Sequence, residues 1–110
     1  PKGYATGYND PSPSTNVKSV TIDEATGAIT ITYQARVAAA NANTLTLTPF
    51  TMVKAAGATG AGTATALKTA KGEFTPIQDA LQWRCKAKGA TAGVGTAGTL
   101  EPRFAPGECR

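Results

Sequence analysis

Histidine is absent from the 110 residues. The side chain that most readily serves as acid, base or metal ligand near neutral pH is therefore missing. Only two cysteines are present, too few for a four-ligand zinc site by themselves. Large apolar residues are scarce: Leu, Ile, Val and Phe together number 17, about 15% of the chain, below the roughly 20% at which disorder becomes a live prospect. Such disorder also requires a high net charge, and here it is only +4. A folded domain with a thin core is expected. The longest unbroken apolar run is Val37-Ala38-Ala39-Ala40, whereas about 20 residues are needed to span a bilayer. No signal peptide is present, so any targeting segment is expected to have been removed or left out. The length allows a single domain over residues 1–110.

What is abundant is small. The chain holds 21 Ala, 18 Thr and 12 Gly, which together make 51 of its 110 residues. Charge is unevenly spread. No acidic residue occurs between Glu24 and Glu73, while Arg36, Lys54, Lys68 and Lys71 fall inside that window. A basic window of this kind suits an acidic partner such as nucleic acid or an anionic surface, or is simply a solvated face. The two cysteines, Cys85 and Cys109, suggest one disulfide and an oxidising compartment, the other reading being two buried thiols in a cytosolic protein. A disulfide closing a segment of about 25 residues contributes roughly 3.5 kcal/mol on a chain-entropy basis.

Residues 1–15 read as a connecting loop, punctuated by Pro1, Gly3, Gly7, Pro11 and Pro13, with Tyr4 and Tyr8 placed to pack on the domain. A hairpin follows. Val20 and Ile22 alternate with Ser19, Thr21 and Asp23, Ala25-Thr26-Gly27 turns, and Ile29, Ile31 and Tyr33 alternate with Thr30, Thr32 and Gln34. This period of two with β-branched residues is the signature of half-buried strands. A third strand is predicted over Asn43–Phe50, with Leu45 and Leu47 on one face and threonines on the other. A fourth runs over Ala80–Lys86, with Leu81, Trp83 and Cys85 facing one way and Gln82, Arg84 and Lys86 the other. The first three strands fall within 16–54. A long Gly/Ala/Thr-rich loop occupies 55–79, in which Ala64–Lys71 could form two helical turns, and the fourth strand and a C-terminal loop fill 80–110.

The predicted fold is mainly β: a four-stranded antiparallel sheet with long loops. Its dry face carries Val20, Ile22, Ile29, Ile31, Tyr33, Leu45, Leu47, Leu81 and Trp83. No segment has the length or periodicity of a helix that could cover this face. A contiguous apolar patch of this size marks a partner surface. Its cover is expected from outside: a separate helical chain, a removed N-terminal segment or a second copy of the domain.

Catalysis is not expected. The seven carboxylates are scattered, and only Asp23 and Glu24 are neighbours, at a turn where acidic residues are favoured anyway. A calcium site there lacks a third ligand. The glycine-rich runs lack the Gly-Lys-Ser/Thr ending of phosphate loops, and the threonine ladders, which could suggest ice or glycan binding, are ordinary wet-face strand residues. No cofactor and no metal are expected.

The segments Val17–Ile22, Thr26–Tyr33 and Thr44–Pro49, followed by Leu81-Gln82-Trp83-Arg84-Cys85 and the ending Phe104-Ala105-Pro106-Gly107-Glu108-Cys109-Arg110, resemble in order and spacing the head of a type IVa pilin. The likeness covers residues 16–50 and 80–110. Pilins of this type have a long N-terminal helix, whose second half packs on the sheet's dry face. The resemblance therefore implies that a pilin helix, supplied by a separate chain as in split pilins or removed from this one, covers the nine residues named above. It implies a structural subunit of an extracellular type IV pilus or pseudopilus, exported through the periplasm and packed against other subunits, serving adhesion, motility, DNA uptake, electron transport or secretion. A different class of function is a secreted binding module or adhesin using the Cys85–Cys109 loop or the basic face. On that face Arg84, Lys86 and Lys88 would attract DNA or anionic surfaces weakly.

Overall fold

The computed structural model describes residues 3–53, 57, 60, 62–67 and 80–110. These form an antiparallel sheet of five strands: β1 (Val17–Ile22), β2 (Ile29–Tyr33), β3 (Thr44–Val53), β4 (Thr63–Ala66) and β5 (Gln82–Lys86). Single 3-10 turns occur at Gly3–Ala5, Pro102–Phe104 and Gly107–Cys109, and there is no α-helix among the described residues. The four strands expected from alternation are present. A fifth, β4, stands where the sequence suggested the start of a helical segment, and residues 68–71 of that segment lie outside the described residues. Thr63-Ala64-Thr65-Ala66 alternates with period two, and it pairs with the end of β3, which runs three residues beyond Phe50. A waiting edge partner outweighs the weak helical preference of two alanines.

The hairpin between β1 and β2 is built by its turn chemistry. The Asp23 carboxylate accepts the backbone N–H groups of Ala25 and Thr26 at 2.8 and 2.9 Å, and the Thr26 hydroxyl accepts that of Ala28. These bonds hold the Asp23 carboxyl below its ordinary pKa, the Thr26 N–H having the largest effect. The N-terminal residues run along the same end of the molecule. Tyr4 donates its N–H to the carbonyl of Glu24, and the Tyr8 hydroxyl donates to that of Val20.

β3 is the central strand. Thr46 and Leu47 pair with β2 and also with β5, so those two flank β3 on opposite edges. Phe50 pairs with Ala66 of β4 and Gln82 of β5. β4 therefore lies on the edge that β2 leaves, and Thr48 and Pro49 have a partner only on the β5 side. A proline is tolerated at this break because a strand interior would need its missing N–H.

The C-terminal residues wrap around one end of the sheet. Gly98 donates its N–H to the Lys86 carbonyl, and Leu100 donates to that of Thr44 and accepts from Lys88. Ahead of this crossing the chain lies over the threonine face. After it, the chain lies over the apolar face, where Leu100, Ala105 and Cys109 join Ala38, Leu45 and Ala87 in the buried cluster. The Cys85–Cys109 disulfide ties this wrap to β5.

Candidate functional site

Residues directly opposite one another in a ladder share a face. Val20 stands opposite Ile31 and Ile22 opposite Ile29. Ile31 stands opposite Leu45 and Ile29 opposite Leu47, and Leu47 stands opposite Cys85 and Pro49 opposite Trp83. Val20, Ile22, Ile29, Ile31, Leu45, Leu47 and Trp83 thus form one continuous apolar surface across four strands. Tyr33 joins it opposite Val17, beyond a register shift in β1, and packs against the buried cluster with Cys85. Leu81 lies just before β5.

This surface is closed over Leu45 and again over Pro49, which is fully buried beside Gly27, and it is open between and beside them. Leu45 is 6% exposed, under the C-terminal wrap. Val20, Ile22, Ile29, Ile31 and Leu47 are only half-buried. Trp83 is 48% and Leu81 44% exposed at the far end, with Val53 exposed nearby on β3.

The opposite face departs from expectation. Alternation along β5 places Arg84 and Lys86 away from the apolar surface, and a solvated basic face was the natural reading. Instead the segment before the crossing covers them. Lys86 is only 4% exposed, and its ammonium donates to the carbonyl of Gly95 at 3.1 Å. Arg84 is half-buried, its guanidinium 5.9 Å from the centre of the Phe50 ring, and its Nε has no hydrogen-bond partner. Of the three basic residues only Lys88 is exposed. Arg36 of the acid-free window is also exposed, and Lys54, Lys68 and Lys71 lie outside the described residues.

The cover was missed because Gly/Ala/Thr segments read as loose loop. It lies flat because its side chains are small. A Cβ at Gly98 would overlap the Thr44 carbonyl, and one at Gly95, where φ is +98°, would overlap the Thr48 hydroxyl. Threonines then fasten it. Thr44 and Thr99 bond side chain to side chain at 2.9 Å and each backbone N–H to the other's hydroxyl, and Thr46 donates to the Thr96 carbonyl. The signal available in the sequence was the spacing of Gly93, Gly95 and Gly98, which meet Arg84, Thr48 and Thr44 in turn.

The Asp23 carboxylate serves its own turn. No group of three His, Cys, Asp or Glu side chains among the described residues is placed to hold a metal. The arrangement offers a large apolar surface and a disulfide-tied wrap.

Comparison with known proteins agrees with that description. The model of the pilin family, a family of bacterial filament proteins, matches residues 2–110. A crystal structure of a type IV pilin from Pseudomonas aeruginosa strain Pa110594 is similar to this chain with a TM-score of 0.61 and 32% identity, over 90% of this chain and 67% of that one. Among curated proteins none matches. With its antiparallel sheet, its Cys85–Cys109 disulfide and a family match over nearly its whole length, the chain belongs to the pilin family.

Proposed function

We propose that this chain forms the outer globular part of a subunit in an extracellular type IV pilus or pseudopilus, with a pilin helix packed across its open apolar surface. The observation that carries the proposal is that surface. Val20, Ile22, Ile29, Ile31 and Leu47 converge from three strands and remain half-exposed, continuous with an exposed Trp83. Each would gain roughly 1 kcal/mol from completing its burial. A helix is the cover that suits a single antiparallel sheet with one apolar face. It comes from a separate chain or from a segment ahead of Pro1. The disulfide fits export to an oxidising compartment. The role is structural rather than catalytic, and the face that the helix leaves free becomes filament exterior. Because Lys86 is buried and Arg84 half-buried, no anionic-ligand surface is proposed there.

The test is incorporation. Filaments sheared from cells that express this chain should contain it. Ile31→Asp should remove it from the filament fraction, because a charge would be trapped unpaired at the helix contact. The same variant should keep its disulfide and its β-sheet circular dichroism. Incorporation of Ile31→Asp at the wild-type level would overturn the reading.

A further inference from the structure

The break in β3 pairing opens a cavity on the threonine face. Where β2 has ended and β4 has not begun, the edge of β3 at Thr48 is uncovered, and a cavity of about 350 Å³ lies there. Its walls are the β1–β2 turn with Asp23, the β4 end with Ala66, and Gly95-Thr96 of the covering segment. Ala28, Thr30 and Thr48 are strand-side lining residues. Thr48 is only 5% exposed, and its hydroxyl has no hydrogen-bond partner. A buried hydroxyl left unpaired costs about 1–3 kcal/mol.

We infer that this cavity is a binding site for a neutral saccharide unit. The volume lies at the lower end of small-molecule sites, which run from about 300 Å³ upward, and suits a single ring. Each threonine hydroxyl can both donate and accept, which matches the vicinal hydroxyls of a sugar. The Asp23 carboxylate is ionised at neutral pH, accepts only, and can take a sugar O–H. The methyls of Ala28 and Ala66 offer an apolar wall for the C–H side of a ring. Among the described residues no lysine or arginine lines the cavity, and the Lys86 ammonium beneath donates to the Gly95 carbonyl. Asp23 therefore disfavours anionic sugars. That the cavity opens on the filament exterior rests on the function proposed above. The cavity itself does not.

The experiment uses the isolated chain, isotope-labelled and titrated by NMR with glucose, galactose and N-acetylglucosamine, and with glucuronate as the anionic probe. At least one neutral sugar should give saturable shifts at Thr30, Thr48, Gly95 and Thr96 with millimolar affinity, and glucuronate should bind at least tenfold more weakly. Ala66→Leu, which fills the cavity from an exposed position, and Thr30→Val, which removes one hydroxyl at constant shape, should each lower affinity at least tenfold with the fold retained. The inference is overturned if no neutral sugar gives saturable shifts, if both variants bind as the parent does, or if glucuronate binds equally well. A chain that enters filaments but binds no sugar would fail this inference alone.

Discussion

The two ends of the apolar surface have the same chemistry and different fates. At one end, Leu45 and Cys85 lie beneath Leu100, Ala105 and Cys109, and a closed core results. A few residues away along the same strands, Ile29, Ile31 and Leu47 are no less apolar and stay half-exposed. Composition does not separate them. The reach of the C-terminal wrap does, since it turns around only the end where Thr44 and Lys88 stand. A core this thin can be completed by its own chain at one end and still leave most of its apolar surface for a partner. The closed end then carries the stability of the isolated domain, and on the proposed function the open end carries its assembly.

That division can be broken from either side. The largest effect is expected at the closed end. Cys109→Ser, or reduction, frees the wrap and removes a constraint spanning 24 positions, worth about 3.5 kcal/mol on the chain-entropy estimate. Urea unfolding should show the midpoint falling accordingly, and an unchanged midpoint would mean that the wrap holds without its staple. Leu45→Ala should cost about 3 kcal/mol, because the cavity it leaves is walled by the tied wrap and collapses poorly. Ile31→Ala, its cross-strand neighbour on the open side, should cost less than half as much in the isolated chain. Equal losses would erase the distinction between the two ends.

Next comes the crossing. Gly98→Ala forces a Cβ onto the Thr44 carbonyl, a backbone atom with little freedom to yield, and should cost about 1–3 kcal/mol by thermal unfolding. A smaller and pH-dependent effect belongs to the turn. The Asp23 carboxyl is held below its ordinary pKa in the folded chain by the N–H groups of Thr26 and Ala25. Its contribution is therefore complete above the unfolded carboxylate pKa, near 4, and is lost as pH falls through the lower folded value. Asp23→Asn should flatten that part of the stability–pH curve, and a parallel curve would remove the turn from the account. The smallest effect is at Thr48. Thr48→Val deletes a hydroxyl without a partner and should leave stability unchanged or raise it by up to about 1 kcal/mol. A clear loss would mean that the hydroxyl is satisfied after all.

The strands were legible because each records its environment locally. Val20 and Ile22, Ile29 and Ile31, and Leu45 and Leu47 alternate with threonine or other polar residues, and a half-buried strand needs nothing more. Register followed from the same alternation, since a slip of one residue would turn every apolar side chain to the wrong face. The short strand Thr63–Ala66 was not legible, because Thr and Ala alternate without apolar contrast and its pairing depends on β3 continuing past Pro49. The burial of Lys86 was not legible either. Alternation correctly turned it away from the apolar face, but period two says only which face a residue takes, and not what lies over that face.

From the order of residues alone came the alternating strands, the paired cysteines, the thin core and the apolar face in need of a cover. All of these follow from local periodicity and composition. The path of residues 89–110 around the sheet end, the threonine-fastened cover over Arg84 and Lys86 and the break beside Thr48 depend on contacts across as many as 55 positions. Small side chains make such a path sterically open without specifying it. Its course is decided only when glycines and threonines far apart in the chain meet on the assembled sheet.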